Sequence, residues 1–209
     1  MTSDDLWRAA LHDFNNLLAS LQGVLDLSDP RLPLDARNRM RLEFTLEDGK
    51  TLITMARALA LGRHPDMGLA SWDEWKAGLE ARLEPMSAMF RCPIQLVDLD
   101  ADGAHWPTPQ LQDWAATFTR QILPWATPGP VLLEATVSPE AWTLTWVGDA
   151  PLPMALQPEP PPDVSKSLPS LWLRIVSERL DLSIQESPRG IVVRMARSPA
   201  ATMVDLSDA

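Results

Sequence analysis

At 209 residues the chain has room for one or two domains, and an apolar share of 45% is enough to fill a core. Its 28 acidic against 18 basic side chains leave a net charge of −10, which repels phosphate backbones and anionic lipid, so neither nucleic acid nor a membrane is expected as a partner. The single cysteine, Cys92, excludes an internal disulfide, no run of roughly 18 apolar residues exists to span a bilayer, and Met-Thr-Ser-Asp-Asp lacks the basic and apolar regions of a secretory signal, so a cytoplasmic location is expected.

From Asp4 to about Leu27, Leu6, Ala10, Leu11, Phe14, Leu17, Leu18, Leu21, Val24 and Leu25 recur at three- and four-residue steps, which predicts a helix with a wide buried stripe. Thr2, Ser3 and Asp4 offer capping oxygens before it, and Pro30 and Pro33 stop it. A second helix is predicted from near Leu34 to Leu61, with Leu42, Leu46, Ile53, Ala56 and Ala60 on one side and Gly49 as a weak point costing about 1 kcal/mol relative to alanine. Two long helices and a short turn make an antiparallel hairpin. Its stripe is buried best by a second copy, as a dimeric four-helix bundle.

Glycines and a proline in Gly62 to Ala70 set the domain boundary, giving a hairpin domain over 1–64 and a second domain over 70–197. Ser71 and Glu74 then form a predicted capping box, opening a helix with Trp72, Trp75, Leu79, Leu83, Met86 and Phe90 on one face and a bend at Pro85. A strand at Ile94 to Val97, a loop from Asp98 to Pro109, a helix from Gln110 to Trp125, and strands at Val131 to Val137 and Trp142 to Val147 follow. Gly148 to Pro169 holds seven prolines from position 151 on and reads as a loop. A last helix from Ser170 to Leu180 leads into strands at Leu182 to Glu186 and Ile191 to Ala196, and 198–209 reads as a flexible tail. This order describes an α/β layer with helices on one face of a mixed sheet, so the whole chain is α+β.

The stretch Leu11-His-Asp-Phe-Asn-Asn-Leu-Leu18 sets polar residues among core formers. His12, Asn16, Ala19 and Gly23 fall on one helix face, away from the apolar stripe. A neutral imidazole nitrogen is a nucleophile toward a phosphoryl group, the adjacent Asp13 carboxylate can orient or deprotonate the other nitrogen, and Asn16 can position phosphoryl oxygens. Asn15, Ala19 and Gly23 are the candidate docking residues, the two small ones letting another helix approach closely. Read from spacing alone, the plainer description is His12 as a solvated helix residue and Asp13 as one half of a surface charge pattern.

His-Asp-Phe-Asn-Asn-Leu-Leu resembles the phosphoacceptor box of sensor histidine kinases, in which an acidic residue follows the histidine and Asn or Thr comes one turn later. The hairpin and the α/β layer are similar to that family's dimerisation and phosphotransfer domain followed by its ATP-binding domain, so the resemblance spans nearly the whole chain. It implies that His12 is the phosphorylated residue. The family's ATP-binding motifs are degenerate here: the asparagine that binds magnesium and phosphates is replaced by Trp125, the Asp-x-Gly-x-Gly turn reads Gly148-Asp-Ala-Pro-Leu152, and the later glycine-rich turn reads Ser167-Leu-Pro-Ser-Leu171. No nucleotide, metal or other cofactor is therefore expected.

A phosphoacceptor hairpin with a degenerate nucleotide domain is similar to the dimeric histidine phosphotransferases. The resemblance implies a phosphorelay protein exchanging a phosphoryl group between His12 and the aspartates of receiver domains, on response regulators or hybrid kinases. The alternative is a dimeric pseudo-histidine-kinase that scaffolds or sequesters a kinase or response regulator without phosphoryl chemistry. Asp98-Leu-Asp-Ala-Asp-Gly103 opens like a calcium loop but has Pro109 at the twelfth position, and reads as an acidic turn. His64 and His105 read as surface residues, and tryptophans 72, 75, 114, 125, 142, 146 and 172 as core.

Overall fold

A computed structural model describes residues 3–28, 33–61, 68–101, 103–125, 129–157 and 167–197, with Ser3 and Trp125 described in backbone only. The predicted tail from 198 and His64 lie outside these residues. The chain is α+β and divides into two compact units, Met1–His64 with Glu159–Trp172, and Pro65–Pro158 with Leu173–Ala209.

In the first unit, helix α1 (Ser3–Asp26) packs against helix α2 (Ala36–Leu61). Aspartates 4 and 5 lie in the first turn of α1, where carboxylates complement the positive end of the helix dipole. Asp35 caps α2: its Oδ1 accepts from the Asn38 N–H at 2.7 Å and its Oδ2 from the Asn38 side chain at 3.3 Å. That cap explains why the helix starts at Ala36 and not at Leu34.

The hairpin seam is narrower than the periodicity implies. On α1, Ala9, Ala10 and Val24 are buried, whereas Leu11, Leu18 and Leu25 are about three-fifths exposed. On α2 the buried residues are Asn38, Thr45, Leu52, Met55 and Leu59. Leu46, Ile53 and Ala60, expected on one side of α2, are exposed. Two helices share only one mutual face, so each keeps a second apolar face turned outward. Gly49 lies on the seam, where an added Cβ would come within 3.1 Å of Leu17 Cδ1, so its missing side chain permits a close approach. Nearby, the hydroxyls of Ser20 and Thr45 pair across the seam at 3.3 Å.

In the second unit a five-stranded mixed sheet has the order β2-β4-β5-β7-β6, from β2 (Ile94–Asp100), β4 (Val131–Val137), β5 (Ala141–Val147), β6 (Leu182–Ser187) and β7 (Gly190–Ala196). Only β2 and β4 run parallel; the other neighbours are antiparallel. Alternation puts Val131, Leu133 and Ala135, then Trp142, Leu144 and Trp146, then Ile191, Val193 and Met195 on one buried face. Cross-strand partners Leu133 and Trp146, and Leu144 and Val193, meet on that face.

Helix α3 (Trp72–Phe90) has the predicted capping box, with Ser71 Oγ accepting from the Glu74 N–H and Glu74 accepting from the Ser71 N–H. Trp72, Trp75, Leu79, Leu83 and Met86 are buried as expected, while Phe90 at the helix end is 39% exposed. Helix α4 (Gln110–Ile122), continued by a 3-10 turn over Leu123–Trp125, is buried on nearly every side. Helix α5 (Leu168–Arg179) starts two residues before the expected Ser170.

A two-stranded ribbon, β1 (Gly68–Ser71) against β3 (His105–Thr108), was not foreseen. It brings fully buried Trp106 against Trp72 and Trp75, with ring centroids 5.1 and 4.9 Å away. The expected loop from Asp98 is instead the end of β2, where the Asp98 carboxylate accepts from the Ala101 N–H at 2.6 Å, and no group of three metal-binding side chains occurs among the described residues.

Candidate phosphoacceptor site

His12 and Asn16 are one helical turn apart on α1, and Asp13 follows His12 directly. The Asp13 Oδ1 lies 2.9 Å from His12 Nδ1, and Asn16 Nδ2 lies 3.4 Å from the same nitrogen. An ionised carboxylate only accepts hydrogen bonds, so the shorter contact requires the proton to sit on Nδ1, directed at Asp13. The lone pair is then on Nε2. The Asn16 amide nitrogen, 3.4 Å away, is itself a donor, so beside a protonated Nδ1 it makes no hydrogen bond and only packs against the ring.

Exposure separates the roles within this cluster. The His12 side chain is 53% exposed, whereas Asp13 is 13% exposed. The imidazole is thus open to solvent while the carboxylate beside it is mostly shielded. Asp13 is held from a second side, because its Oδ2 accepts the backbone N–H of Leu168 at 2.6 Å. Residues 168–172 of α5 belong to the same compact unit as α1. The Leu168 N–H is one of the first amides of α5 and has no partner within the helix, whose first turn is marked by the Leu171 N–H bonding Ser167 O at 2.9 Å.

The three predicted docking positions Asn15, Ala19 and Gly23 are exposed, as is Asn16. An added Cβ at Gly23 would meet nothing within 4 Å, so the surface below His12 is open within the chain. The structure therefore gathers His12, Asp13 and Asn16 into one contacting group and leaves Asn15, Ala19 and Gly23 as surface along the same helix. The Leu168 amide is the one member of the cluster that residue-type reasoning missed, since a backbone N–H has no side-chain signature.

The residues aligned with the nucleotide motifs fall as follows. Gly148 has φ +137°, and its N–H bonds Arg189 O at 3.0 Å. Asp149 is exposed and lines a small depression with Ile122, Val131, Trp146 and Ile191. Beneath it the interior is filled by aromatic rings: Trp114 and Phe118 stack at 5.0 Å, and Phe118 meets Trp146 at 4.5 Å. Each indole nitrogen in this cluster has a partner, Trp146 Nε1 donating to Thr119 Oγ1 at 2.8 Å and Trp114 Nε1 to Ser177 Oγ at 2.9 Å. Ser167 to Leu171 is not a turn open to a phosphate but the start of α5, whose first N–H already holds a carboxylate.

No family model matches the sequence, and no curated protein matches it. Solved structures do. Histidine kinase AdeS of Acinetobacter baumannii superposes with a TM-score of 0.58 at 15% identity, over 88% of this chain and 97% of that one. A bacterial phosphotransferase gives 0.51 at 15% identity, over 94% and 98%. Histidine kinase ThkA, solved in complex with the response regulator protein TrrA, gives 0.53 at 10% identity, over 91% of this chain and 60% of that one. The chain has a histidine kinase-like fold, a helical hairpin followed by an α/β domain like the family's ATPase domain.

Proposed function

We propose that this protein is a phosphorelay histidine phosphotransferase that exchanges a phosphoryl group between His12 and receiver-domain aspartates, without binding ATP. The observation that carries the reading is the geometry of His12: half-exposed, with Nδ1 held by a shielded carboxylate at 2.9 Å. In the transfer step the Nε2 lone pair forms a bond to phosphorus as the bond from phosphorus to the receiver carboxylate breaks. The electron pair of that bond returns to the receiver aspartate. The Nδ1 proton stays on the ring, where Asp13 offsets the positive charge the imidazole gains. The reverse step regenerates the neutral ring, so one arrangement serves both directions.

Two further observations support the reading. The α5 amide at the position of the family's phosphate turn is occupied by Asp13, and Trp114, Phe118 and Trp146 fill the interior beneath the depression at Asp149. A solved complex of a histidine kinase with a response regulator has the same fold, which fits a receiver domain as the partner. We also propose a homodimer, with the exposed rows on the hairpin meeting in a four-helix bundle.

The test is label transfer. Mixed with a receiver domain phosphorylated on its aspartate with radioactive phosphate, the protein is expected to take up label that is acid-labile and base-stable, and the His12→Ala variant none. Incubation with labelled ATP and magnesium is expected to give no label. If the wild-type chain stays unlabelled beside a phosphorylated receiver, or if His12→Ala takes up as much, the phosphorelay reading is overturned.

A further inference from the structure

The Asp13 carboxylate is shared between two donors that have no sequence relation to each other: the ring of its neighbour His12, at 2.9 Å, and the first backbone amide of a helix 155 residues away, at 2.6 Å. The second is the shorter bond. Around it solvent is reduced, since Asp13 is 13% exposed and the Leu168 side chain fully buried. A carboxylate on a surface helix otherwise samples several rotamers, and only some of them place an oxygen on the imidazole. The Leu168 N–H removes that freedom. It fixes Oδ2, and the planar carboxylate then has one place for Oδ1, which is on His12 Nδ1.

We propose that the start of α5 is a positioning element for the phosphoacceptor: the Leu168 backbone N–H locks the Asp13 carboxylate so that His12 keeps its proton on Nδ1 and its lone pair on Nε2. The inference rests on the phosphotransfer reading only for its consequence, a faster transfer. The lock itself is a property of the resting protein. Leu168 acts through Asp13 and is a positioning residue, touching neither the phosphoryl group nor the imidazole. The amide that a phosphate-binding turn would turn toward a nucleotide is directed instead at the residue that orients the nucleophile. Anything that moves the first turn of α5 would change the proportion of Nδ1–H tautomer at His12.

Two measurements on the full-length chain test this. The first is hydrogen exchange at the Leu168 amide in the wild type and in Asp13→Ala. An amide in the first turn of a helix has no intrahelical acceptor, so its protection comes from Asp13, and the variant is expected to exchange it at least about tenfold faster. The second is the imidazole 15N spectrum of His12. The wild type is expected to show the Nδ1–H tautomer. Leu168→Pro, which lacks the N–H at a helix position where proline is otherwise accepted, is expected to lose that preference, whereas Leu168→Ala, which loses the packing and keeps the N–H, is expected to retain it. Equal exchange of Leu168 in wild type and Asp13→Ala overturns the proposal, as does an Nδ1–H tautomer that survives in a folded Leu168→Pro. If Leu168→Pro does not fold, the exchange measurement decides alone. Failure of label transfer to His12 with a positive tautomer and exchange result would sink the phosphorelay function and leave the lock standing.

Discussion

At His12 the identity of one neighbouring atom decides which ring nitrogen carries the proton. Asp13→Asn offers either an oxygen or an NH2 group to the ring, and the Leu168 N–H claims the oxygen, since that bond is the shorter one. The NH2 group then faces Nδ1 and drives the proton to Nε2, which removes the nucleophilic lone pair. Transfer from a phosphorylated receiver is expected to slow by about 10²–10⁴-fold, the range seen when a general base or its orienting carboxylate is lost, with binding of the receiver unchanged. Rapid-quench transfer kinetics beside a binding isotherm check this, and a variant that transfers at the wild-type rate removes Asp13 from the mechanism. The residue pattern made His12, Asp13 and Asn16 legible in the sequence because a helix period brings i and i+4 together. It could not show which oxygen of Asp13 was already engaged, because the other donor is a backbone group from a distant segment. Gly190 is a second position where one residue type is required. Its φ is +138°, and an ideal Cβ would lie 1.9 Å from the Trp146 carbonyl oxygen on the neighbouring strand. Gly190→Ala is expected to destabilise the fold by about 1–3 kcal/mol or more, read as a lower midpoint in urea denaturation, because it adds left-handed strain to a backbone clash.

Among the elements, strong single-period segments were the legible ones. The five helices and the sheet strands β2, β4, β5, β6 and β7 follow from apolar spacing and turn residues, and the capping box placed the start of α3 to the residue. The ribbon of β1 and β3 escaped because each strand has four residues, and one contains Pro107 and the other starts on Gly68, residues that read as loop. With the ribbon, Trp106 was lost from the predicted core. On α2 the apolar side read from the sequence is not the side that packs on α1: periodicity reports that a face is apolar, not what covers it, and this helix has more than one such face. In the second unit α4 carries the packing. Trp114 is fully buried between Phe118 and Trp146, and its indole N–H donates to α5 through Ser177 and, at 3.2 Å, the Leu173 carbonyl. Trp114→Ala removes a large ring and its bond to Ser177, and is expected to cost about 3–5 kcal/mol in denaturant unfolding followed by far-ultraviolet circular dichroism. Trp114→Phe, which keeps most of the volume and loses the N–H, is expected to cost less than half as much. A neutral result for Trp114→Ala would mean that the helices are held to the sheet by something other than this cluster.

For the molecule as a whole, the apolar surface left on the hairpin and the net charge act in opposite directions on self-association. Leu11, Leu18 and Leu25 repeat every seven residues along α1 and are each about three-fifths exposed; Leu46 and Ile53 repeat the same spacing on α2 and are about half exposed. A seven-residue apolar repeat is the spacing that keeps one seam of a helix facing a neighbouring helix, and a second copy supplies such a neighbour. Bringing two chains of charge −10 together costs long-range repulsion, which salt screens over about 10 Å at 0.1 M. A dimer held by these rows is therefore expected to tighten as salt rises from low to moderate concentration, the opposite of an interface built from ion pairs. In light scattering coupled to size exclusion the wild-type chain is expected at twice its 23.2 kDa at micromolar concentration. Leu18→Glu with Ile53→Glu places four further carboxylates in the seam of each dimer, and is expected to run at the monomer mass with its helix content and its second unit unchanged. A wild-type chain that elutes as a monomer, or a dimer that loosens with added salt, rejects the apolar rows as the dimer seam. Because the proposed phosphoacceptor face, His12, Asn16 and Gly23, is distinct on α1 from the row Leu11, Leu18 and Leu25, the monomeric variant also separates two requirements. If it still accepts label on His12, a receiver reads one copy of the hairpin, and if it does not while remaining folded, the receiver's docking surface is built from both.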